Sequence, residues 1–287
     1  MSRATALAAL SGDASAHAFG VTWLPADLRE GITQSAGSGS RAEATAATCA
    51  AIPVDLAFVS GAEADAAAFV DALHDVDLAA LWVVDGVLTR VAQVDGWIET
   101  LKMTAAEPVE LAFRLDRALH DALSSARDAL SSGADAVVIA DDLAGPSGPL
   151  VAPDYALDSF LPCYTRLATL AREEGLPAVF HSDGDIRVFL PALARSGFSA
   201  VHFGGLGGSG FSLAASAARR VGLVSLGGIE ARSVSTDPSG KGEALASDES
   251  LGSGVIVCDD GGMTAFEQLA DFGVAVEAVR RLWRQGS

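Results

Sequence analysis

The stretch that decides the fold is Ala-Val-Val-Ile-Ala-Asp-Asp, residues 136–142, in which five apolar residues lead directly into two carboxylates. A short apolar run without alternating polar positions is typical of a strand covered on both faces, as in a parallel sheet between helices. The same arrangement recurs along the chain, with apolar runs that end in Asp85, His181, His202, Cys258 and the pair Gly227-Gly228. Repetition of this unit predicts parallel strands whose polar ends meet at one edge.

Eight candidate strands can be counted, and segments with helical periodicity lie between most of them. The strands are predicted at residues 20–23, 54–59, 81–84, 136–140, 178–180, 200–203, 222–226 and 255–257. This order predicts an α/β fold, a (β/α)8 TIM barrel, in a single domain over residues 1–287. The pattern is weakest in residues 1–50. Residues 34–41 and 237–250 are rich in Ser, Gly and charge, which predicts mobile loops.

Composition excludes several classes of protein. The chain has 287 residues, half of them apolar, and a formal net charge of −18 with two lysines, so we expect no nucleic-acid partner. No apolar run reaches the roughly 18 residues of a membrane span, and we expect no membrane association. The three cysteines form no disulfide framework, which favours a cytoplasmic location.

The segment His181-Ser182-Asp183-Gly184 follows a predicted strand and precedes a predicted helix. We therefore place His181 and Asp183 on a turn at the C-terminal rim of the barrel, where each can act as acid, as base or as metal ligand. The alternative is a histidine that is satisfied structurally by a neighbouring carboxylate at a helix start.

Asp141 and Asp142 end the fourth strand in the same way, and Asp85 ends the third. Adjacent carboxylates that share a site raise each other's pKa, because two negative charges close together repel. In the alternative interpretation, one of the two caps backbone amides and the other faces solvent.

The ends of the later strands suggest a metal site and an anion site. His181, Asp183, His202 and Cys258 together offer two nitrogens, an oxygen and a sulfur, a set that suits zinc, although a lone cysteine is more often a core residue. Gly227 and Gly228, together with Gly261 and Gly262 after the last strand, are candidates for a backbone nest that binds a phosphorylated ligand or cofactor. The spacing from Gly205 to Gly210 also matches a dinucleotide fingerprint, but it lies too late in the chain for that fold.

From about residue 97 onward, the order of short motifs resembles the uroporphyrinogen decarboxylase superfamily, which includes the corrinoid-dependent methyltransferases. The motifs are Gly96-Trp97-Ile98-Glu99-Thr100, Glu107-Pro108, Gly133-Ala134-Asp135, Asp141-Asp142, Gly148-Pro149-Leu150-Val151-Ala152-Pro153-Asp154-Tyr155, Pro162, His181-Ser182-Asp183-Gly184, Gly197-Phe198 and Gly227-Gly228-Ile229-Glu230. The resemblance implies a uroporphyrinogen decarboxylase-like barrel with a shortened N-terminus.

The resemblance further implies a methyltransferase that works with a corrinoid protein and a small-molecule methyl donor. His181 matches the start of the family's His-x-Cys zinc motif, with Asp183 at its second position and Cys258 as the later thiol. In this interpretation zinc is the metal, Asp141 and Asp142 position the substrate, and the chain can form a homodimer. One alternative is metal-free decarboxylation of a tetrapyrrole acid, with Asp85 or Asp142 stabilising a protonated pyrrole. Another is a non-catalytic relative that binds a ligand or partner.

Overall fold

Eight parallel strands pair in chain order and curl into a barrel in the computed structural model, which describes residues 2–13, 15–22, 24–37, 39–145 and 147–286. The strands are β1 Gly20–Val21, β2 Leu56–Ser60, β3 Ala79–Asp85, β4 Ala136–Ala140, β5 Ala178–Asp183, β6 Ala200–Gly207, β7 Val224–Ile229 and β8 Val255–Asp259. Helices alternate with them, and the predicted (β/α)8 fold class is confirmed. Trp23, which the sequence placed in the first strand, lies outside the described residues.

The barrel closes where its shortest strand, β1, meets β8. Phe19 and Val257 form an isolated parallel bridge there. The backbone N–H of Thr22 donates to Asp259 Oδ1 at 2.7 Å, and the Thr22 hydroxyl donates to the other oxygen of the same carboxylate. Because β1 is too short to form a full ladder, a buried side chain completes the closure.

The helices that cover the barrel lie before, between and after its strands. Their bounds are Ala26–Ala36, Arg41–Ala51, Ala66–Asp75, Val87–Asp95, Trp97–Ala106, Pro108–Ser131, Pro153–Ser159, Leu161–Glu173, Leu190–Arg195, Gly208–Arg220, Pro238–Ala246 and Phe266–Gly286, with a 3-10 helix at Ala231–Thr236. A two-residue hairpin pairs Ala144–Gly145 with Gly148–Pro149. None of the helices in the described ranges is long and apolar enough to cross a membrane.

The prediction of a mobile loop at residues 237–250 is wrong, because this segment contains the helix Pro238–Ala246. The Asp237 side chain caps the helix by accepting the Gly240 N–H at 3.1 Å. A Cβ at Gly242 would lie 2.1 Å from the carbonyl oxygen of Ala275. Glycine here therefore permits close contact with the C-terminal helix, which composition alone cannot distinguish from flexibility.

The loop predicted at residues 34–41 is also shorter than expected. The preceding helix runs to Ala36 and ends at Gly37, whose φ of 71° is left-handed. The next helix begins after Ser40, which forms a capping box with Glu43. Gly37 thus ends one helix and Ser40 starts the next.

An N-terminal helix, Arg3–Leu10, closes the bottom of the barrel. Its buried Ala6, Ala9 and Leu10 belong to the same apolar cluster as the barrel-facing residues of the strands. Arg3 Nε donates to Asp135 Oδ1 at 2.9 Å, just before β4 begins. This helix therefore covers the end of the barrel opposite the C-terminal ends of the strands.

Candidate functional site

The site begins with the alternation of side chains along β5. Val179 belongs to the barrel interior, whereas Ala178 and Phe180 face the surrounding helices. Period-two alternation therefore aims His181 and Asp183 into the mouth of the barrel. The sequence predicted a turn for these two residues, but both lie within the strand, which continues to Asp183. The apolar pattern stopped at residue 180 because polar side chains occupy the last interior positions.

Two buried histidines lie side by side at the top of the barrel core. His181 on β5 pairs in register with His202 on β6, and their Nδ1 atoms are 2.7 Å apart. The rings are stacked, with centroids 4.9 Å apart and an interplanar angle of 25°. Phe58 packs against His202 with the two rings inclined at 65° and their centroids 5.3 Å apart.

The hydrogen bonds of this pair assign its protons. His202 Nε2 lies 2.9 Å from the carbonyl oxygen of Asp259, and because a carbonyl only accepts, Nε2 carries the hydrogen. Burial lowers the pKa of His202 to about 4 and the pKa of His181 well below its usual value, so both rings are neutral. In neutral rings one Nδ1 must donate to the other, and His181 Nε2 faces the neighbouring carboxylates.

Two carboxylates complete the centre around that nitrogen. His181 Nε2 lies 3.8 Å from Asp183 Oδ1, and the backbone N–H of Asp183 donates to Asp142 Oδ1 at 2.9 Å. One nitrogen or oxygen from each of these three residues lies within 4.8 Å of the others. Desolvation and the nearby charges of Asp142 and Asp260 raise the pKa of Asp183 to about 6, and burial raises the pKa of Asp142. We call Asp142, His181 and Asp183 the mouth triad.

The backbone leaves room for the mouth triad at one glycine. Gly204 pairs with Asp183 across β5 and β6. A Cβ at this position would lie 2.0 Å from Asp183 Oδ1 and 2.8 Å from His181 Cε1. The absence of a side chain here therefore makes the observed position of both functional groups sterically accessible.

Asp260 is a further acidic residue that lies beside the mouth triad. Ile256 and Cys258 face the barrel interior, so Asp260, two positions further on, shares their face. Its Oδ1 accepts the backbone N–H of Ala231 at 3.0 Å. Its charge contributes to the raised pKa of Asp183. The signal that identifies it is the two-residue alternation continued past the end of the strand.

The structure separates Asp141 from its neighbour Asp142. Asp141 is buried on the outer face of the sheet, where its carboxylate accepts four hydrogen bonds. The donors are Leu88 N–H at 2.9 Å, Thr89 N–H at 2.7 Å, Thr89 O–H at 2.8 Å and Tyr164 O–H at 2.8 Å. Because the two amides begin the helix Val87–Asp95, Asp141 caps that helix from the next strand, which matches the structural alternative.

Asp85 also lies away from the mouth triad. Its Oδ2 accepts from Gln93 Nε2 at 3.0 Å, and its carbonyl oxygen accepts from Arg90 Nε at 2.9 Å. Asp85 lines a cavity of about 490 Å³ together with Asp121 and Asp128 of the helix Pro108–Ser131. The structure therefore associates it with the helices that follow β3.

The remaining metal candidates, His202 and Cys258, are not part of the mouth triad. Both ring nitrogens of His202 are already engaged, one with His181 and one with Asp259. Cys258 is fully buried in the interior apolar cluster, and burial raises its pKa well above the usual value. Among the residues that the structure describes, the donors that lie close together are one imidazole nitrogen and two carboxylate oxygens.

Gly227 and Gly228, the candidates for cofactor binding, lie within β7 with φ values of 138° and 108°. A Cβ at Gly227 would lie 2.9 Å from the ring of Phe211, and one at Gly228 would lie 3.0 Å from Leu245. Both glycines therefore allow helices to pack closely against the strand. Gly228 also lines a cavity of about 570 Å³ that includes Lys241.

The whole chain was compared with known sequences and with solved structures. No protein-family model and no curated protein matches the sequence. A methyltransferase from Methanosarcina mazei has a similar structure, with a TM-score of 0.75, 15% identity and coverage of 98% of both chains. A D-allulose 3-epimerase from Methylomonas sp. gives a TM-score of 0.53 at 13% identity, covering 93% of this chain and 98% of that one. An archaeal fructose-1,6-bisphosphate aldolase gives 0.52 at 11% identity, covering 96% and 98%.

At these identities the similarity establishes the fold alone. The chain is a (β/α)8 barrel of the kind found in the methyltransferase, which confirms at the level of fold the resemblance identified from the motifs. A fold of this kind supports many reactions, so the chemistry depends on the side chains of the mouth triad.

Proposed function

We propose that this protein is a methyltransferase whose active centre is the mouth triad and whose methyl-group partner is a corrinoid protein. The observation that carries the proposal is the convergence of Asp142, His181 and Asp183 at the C-terminal mouth of the barrel. Active sites of such barrels lie at this end. The similarity of fold to a methyltransferase over 98% of both chains supports this reaction class over the others.

The donor set of the mouth triad fits a divalent cation. Catalytic zinc sites use three protein ligands of nitrogen and oxygen type, and carboxylate oxygens equally suit manganese. The lack of a Cβ at Gly204 lets the Asp183 carboxylate and the His181 ring occupy adjacent positions. His181, Asp183 and Asp142 would hold the ion, which when bound acts as a Lewis acid that lowers the pKa of a bound reacting group.

The residues of the chain supply positioning and proton transfer. His181 presents an unprotonated Nε2 to the mouth, and Asp183, with a pKa of about 6, can accept a proton from a methyl acceptor near neutral pH. Asp142 holds Asp183 in place by accepting its backbone N–H. The carboxylates favour a neutral or cationic substrate, because an anionic one would be repelled.

The lysines of the chain argue against aldolase chemistry of the Schiff-base type, which uses a catalytic lysine in the archaeal aldolase of similar fold. Lys102 and Lys241, both within the described ranges, lie on the helices Trp97–Ala106 and Pro238–Ala246 and not on barrel strands. Lys102 is exposed and paired with Glu99 at 2.8 Å. Neither lysine belongs to the mouth triad.

The test supplies methylcob(III)alamin as the methylated corrinoid, together with small alcohol, amine and thiol acceptors. We expect demethylation of the corrinoid, followed by its absorbance, and a methylated product detected by mass spectrometry. His181→Ala should abolish both signals, whereas Asp116→Ala on an exposed helix face should not change them. Failure to transfer the methyl group from the corrinoid to any of these acceptors would contradict the proposal. Release of carbon dioxide from a tetrapyrrole acid would favour decarboxylation instead.

A further inference from the structure

We infer that His202 is a positioning residue that fixes the proton of His181 on Nδ1, so that Nε2 faces the carboxylates of the mouth triad without a proton. The inference deepens the proposed function, which gives that nitrogen its task. It stands, however, on hydrogen-bond geometry that does not depend on which reaction is catalysed.

The direction of the hydrogen-bond chain is fixed from its far end. The carbonyl of Asp259 can only accept, so His202 Nε2 donates to it, and in a neutral ring His202 Nδ1 must then accept. The Nδ1 atoms of the two histidines are 2.7 Å apart, within hydrogen-bond distance. His181 therefore donates through Nδ1, and no other neutral arrangement satisfies both contacts.

The carbonyl that anchors this chain is itself held rigidly. The Asp259 carboxylate accepts Thr22 N–H at 2.7 Å and Gly261 N–H at 3.1 Å, at the point where β1 closes the barrel against β8. The His202 ring is fully buried and packs against the ring of Phe58. Because both ends are restrained, His202 cannot rotate to offer Nδ1 as a donor without losing the bond to the carbonyl.

The consequence concerns proton placement in the mouth triad. The other neutral tautomer of His181 would put a hydrogen on Nε2, which lies 3.8 Å from Asp183 Oδ1. That nitrogen could then neither ligate a cation nor accept a proton. Residues that orient a metal-binding imidazole through its second nitrogen typically change metal affinity about 10–100-fold when removed.

Two substitutions separate the acceptor function of His202 from its bulk. His202→Asn keeps a hydrogen-bond acceptor at the position of Nδ1, because the side-chain oxygen of asparagine is bonded at the same point. His202→Leu fills similar space without an acceptor. We expect His202→Asn to retain the Nδ1–H tautomer of His181 and His202→Leu to lose it.

The experiment reads the tautomers directly by long-range ¹H–¹⁵N correlation of the histidine rings at pH 7 in a chelator, with five histidines in the chain. We expect His181 as Nδ1–H and His202 as Nε2–H in the wild type. A His181 ring protonated on Nε2, or a fixed Nδ1–H tautomer that persists in His202→Leu, would overturn the inference.

Titration with Mn²⁺ and Zn²⁺ forms the second arm. We expect affinity to fall at least 10-fold in His202→Leu and to stay within a few-fold of the wild type in His202→Asn. Equal affinity in His202→Leu and wild type would overturn the inference. If the wild type shows the expected tautomers but binds neither ion, the metal centre of the proposed function fails and the assignment of His202 stands.

Discussion

At the scale of single residues, the adjacent carboxylates Asp141 and Asp142 show how strand geometry divides two identical side chains between two tasks. Asp141 faces outward and caps a helix, whereas Asp142 faces the barrel mouth and belongs to the mouth triad. The sequence identified the pair but left both roles open, because the phase of the alternation depends on which strand residue faces the barrel axis. Because successive residues of the strand face opposite sides of the sheet, Asp141 serves stability and Asp142 serves the site.

Replacement of Asp141 should therefore affect stability. Asp141→Ala leaves two backbone amides of the helix Val87–Asp95 and the hydroxyls of Thr89 and Tyr164 without their acceptor. We expect a loss of about 3 kcal/mol in the free energy of unfolding, measured by urea denaturation. Asp116→Ala, on an exposed helix face, should change it by less than about 0.5 kcal/mol. An unchanged urea midpoint for Asp141→Ala would refute the capping role.

A substitution at Gly204 should impair metal binding without changing the fold. Gly204→Ala would place a Cβ 2.0 Å from Asp183 Oδ1, so the mouth triad must shift. We expect Mn²⁺ or Zn²⁺ affinity to fall at least 10-fold while the far-UV circular dichroism is unchanged. Gly210→Ala, where a Cβ would meet only Leu206 at 3.8 Å, is the matched control. Wild-type affinity in Gly204→Ala would show that the ion binds elsewhere.

The burial of His202 should make the free energy of unfolding depend on pH. Its folded pKa of about 4 lies below the ordinary value of 6.5, so the unfolded chain binds the proton more tightly. The contribution of His202 to stability is therefore complete above pH 6.5 and is lost as the pH falls toward 4.

Relative to His202→Asn, the wild type should lose about 2 kcal/mol between pH 8 and pH 5, which follows from 1.36 kcal/mol for each pKa unit. Urea unfolding of both proteins in a chelator measures this difference. A stability difference that is constant with pH would mean that His202 titrates normally in the folded protein.

At the scale of elements, the sequence located most barrel strands but ended several of them early. β5 and β6 continue to Asp183 and Gly207, beyond the predicted ends at residues 180 and 203. The extra residues are polar or glycine because they border the mouth, so the apolar pattern that defines a buried strand stops before the strand does. The same effect hid the true position of His181 and Asp183, which are part of the sheet.

The N-terminal helix Arg3–Leu10 is the element that seals the opposite end. Leu10→Ala should destabilise the protein by about 3 kcal/mol, because Leu10 is fully buried in the interior apolar cluster. Metal affinity should stay within two-fold of the wild type, since the mouth triad lies at the other end of the barrel. Leu213→Ala, at a side chain that is 59% exposed, is the control for urea denaturation. Loss of metal affinity in Leu10→Ala would contradict the separation of floor and mouth.

At the scale of the whole molecule, the repeated strand and helix pattern was sufficient for the fold, because each unit carries its own apolar signal. The site needed coordinates. His181 and Asp183 were recognisable from the end of one strand, but their grouping with Asp142 depends on the register between β4 and β5. Cys258 lies deeper, in the interior apolar cluster of the barrel, and residue type alone does not reveal that depth.

The most direct test of the mouth triad is the metal content of the purified protein after chelator washing and reloading with zinc or manganese, measured by mass spectrometry. The wild type and Cys258→Ala should both hold near-stoichiometric metal, since Cys258 is not a member of the mouth triad. His181→Ala should hold none. Absence of metal from the reloaded wild type, or full retention by His181→Ala, would contradict a metal centre at Asp142, His181 and Asp183.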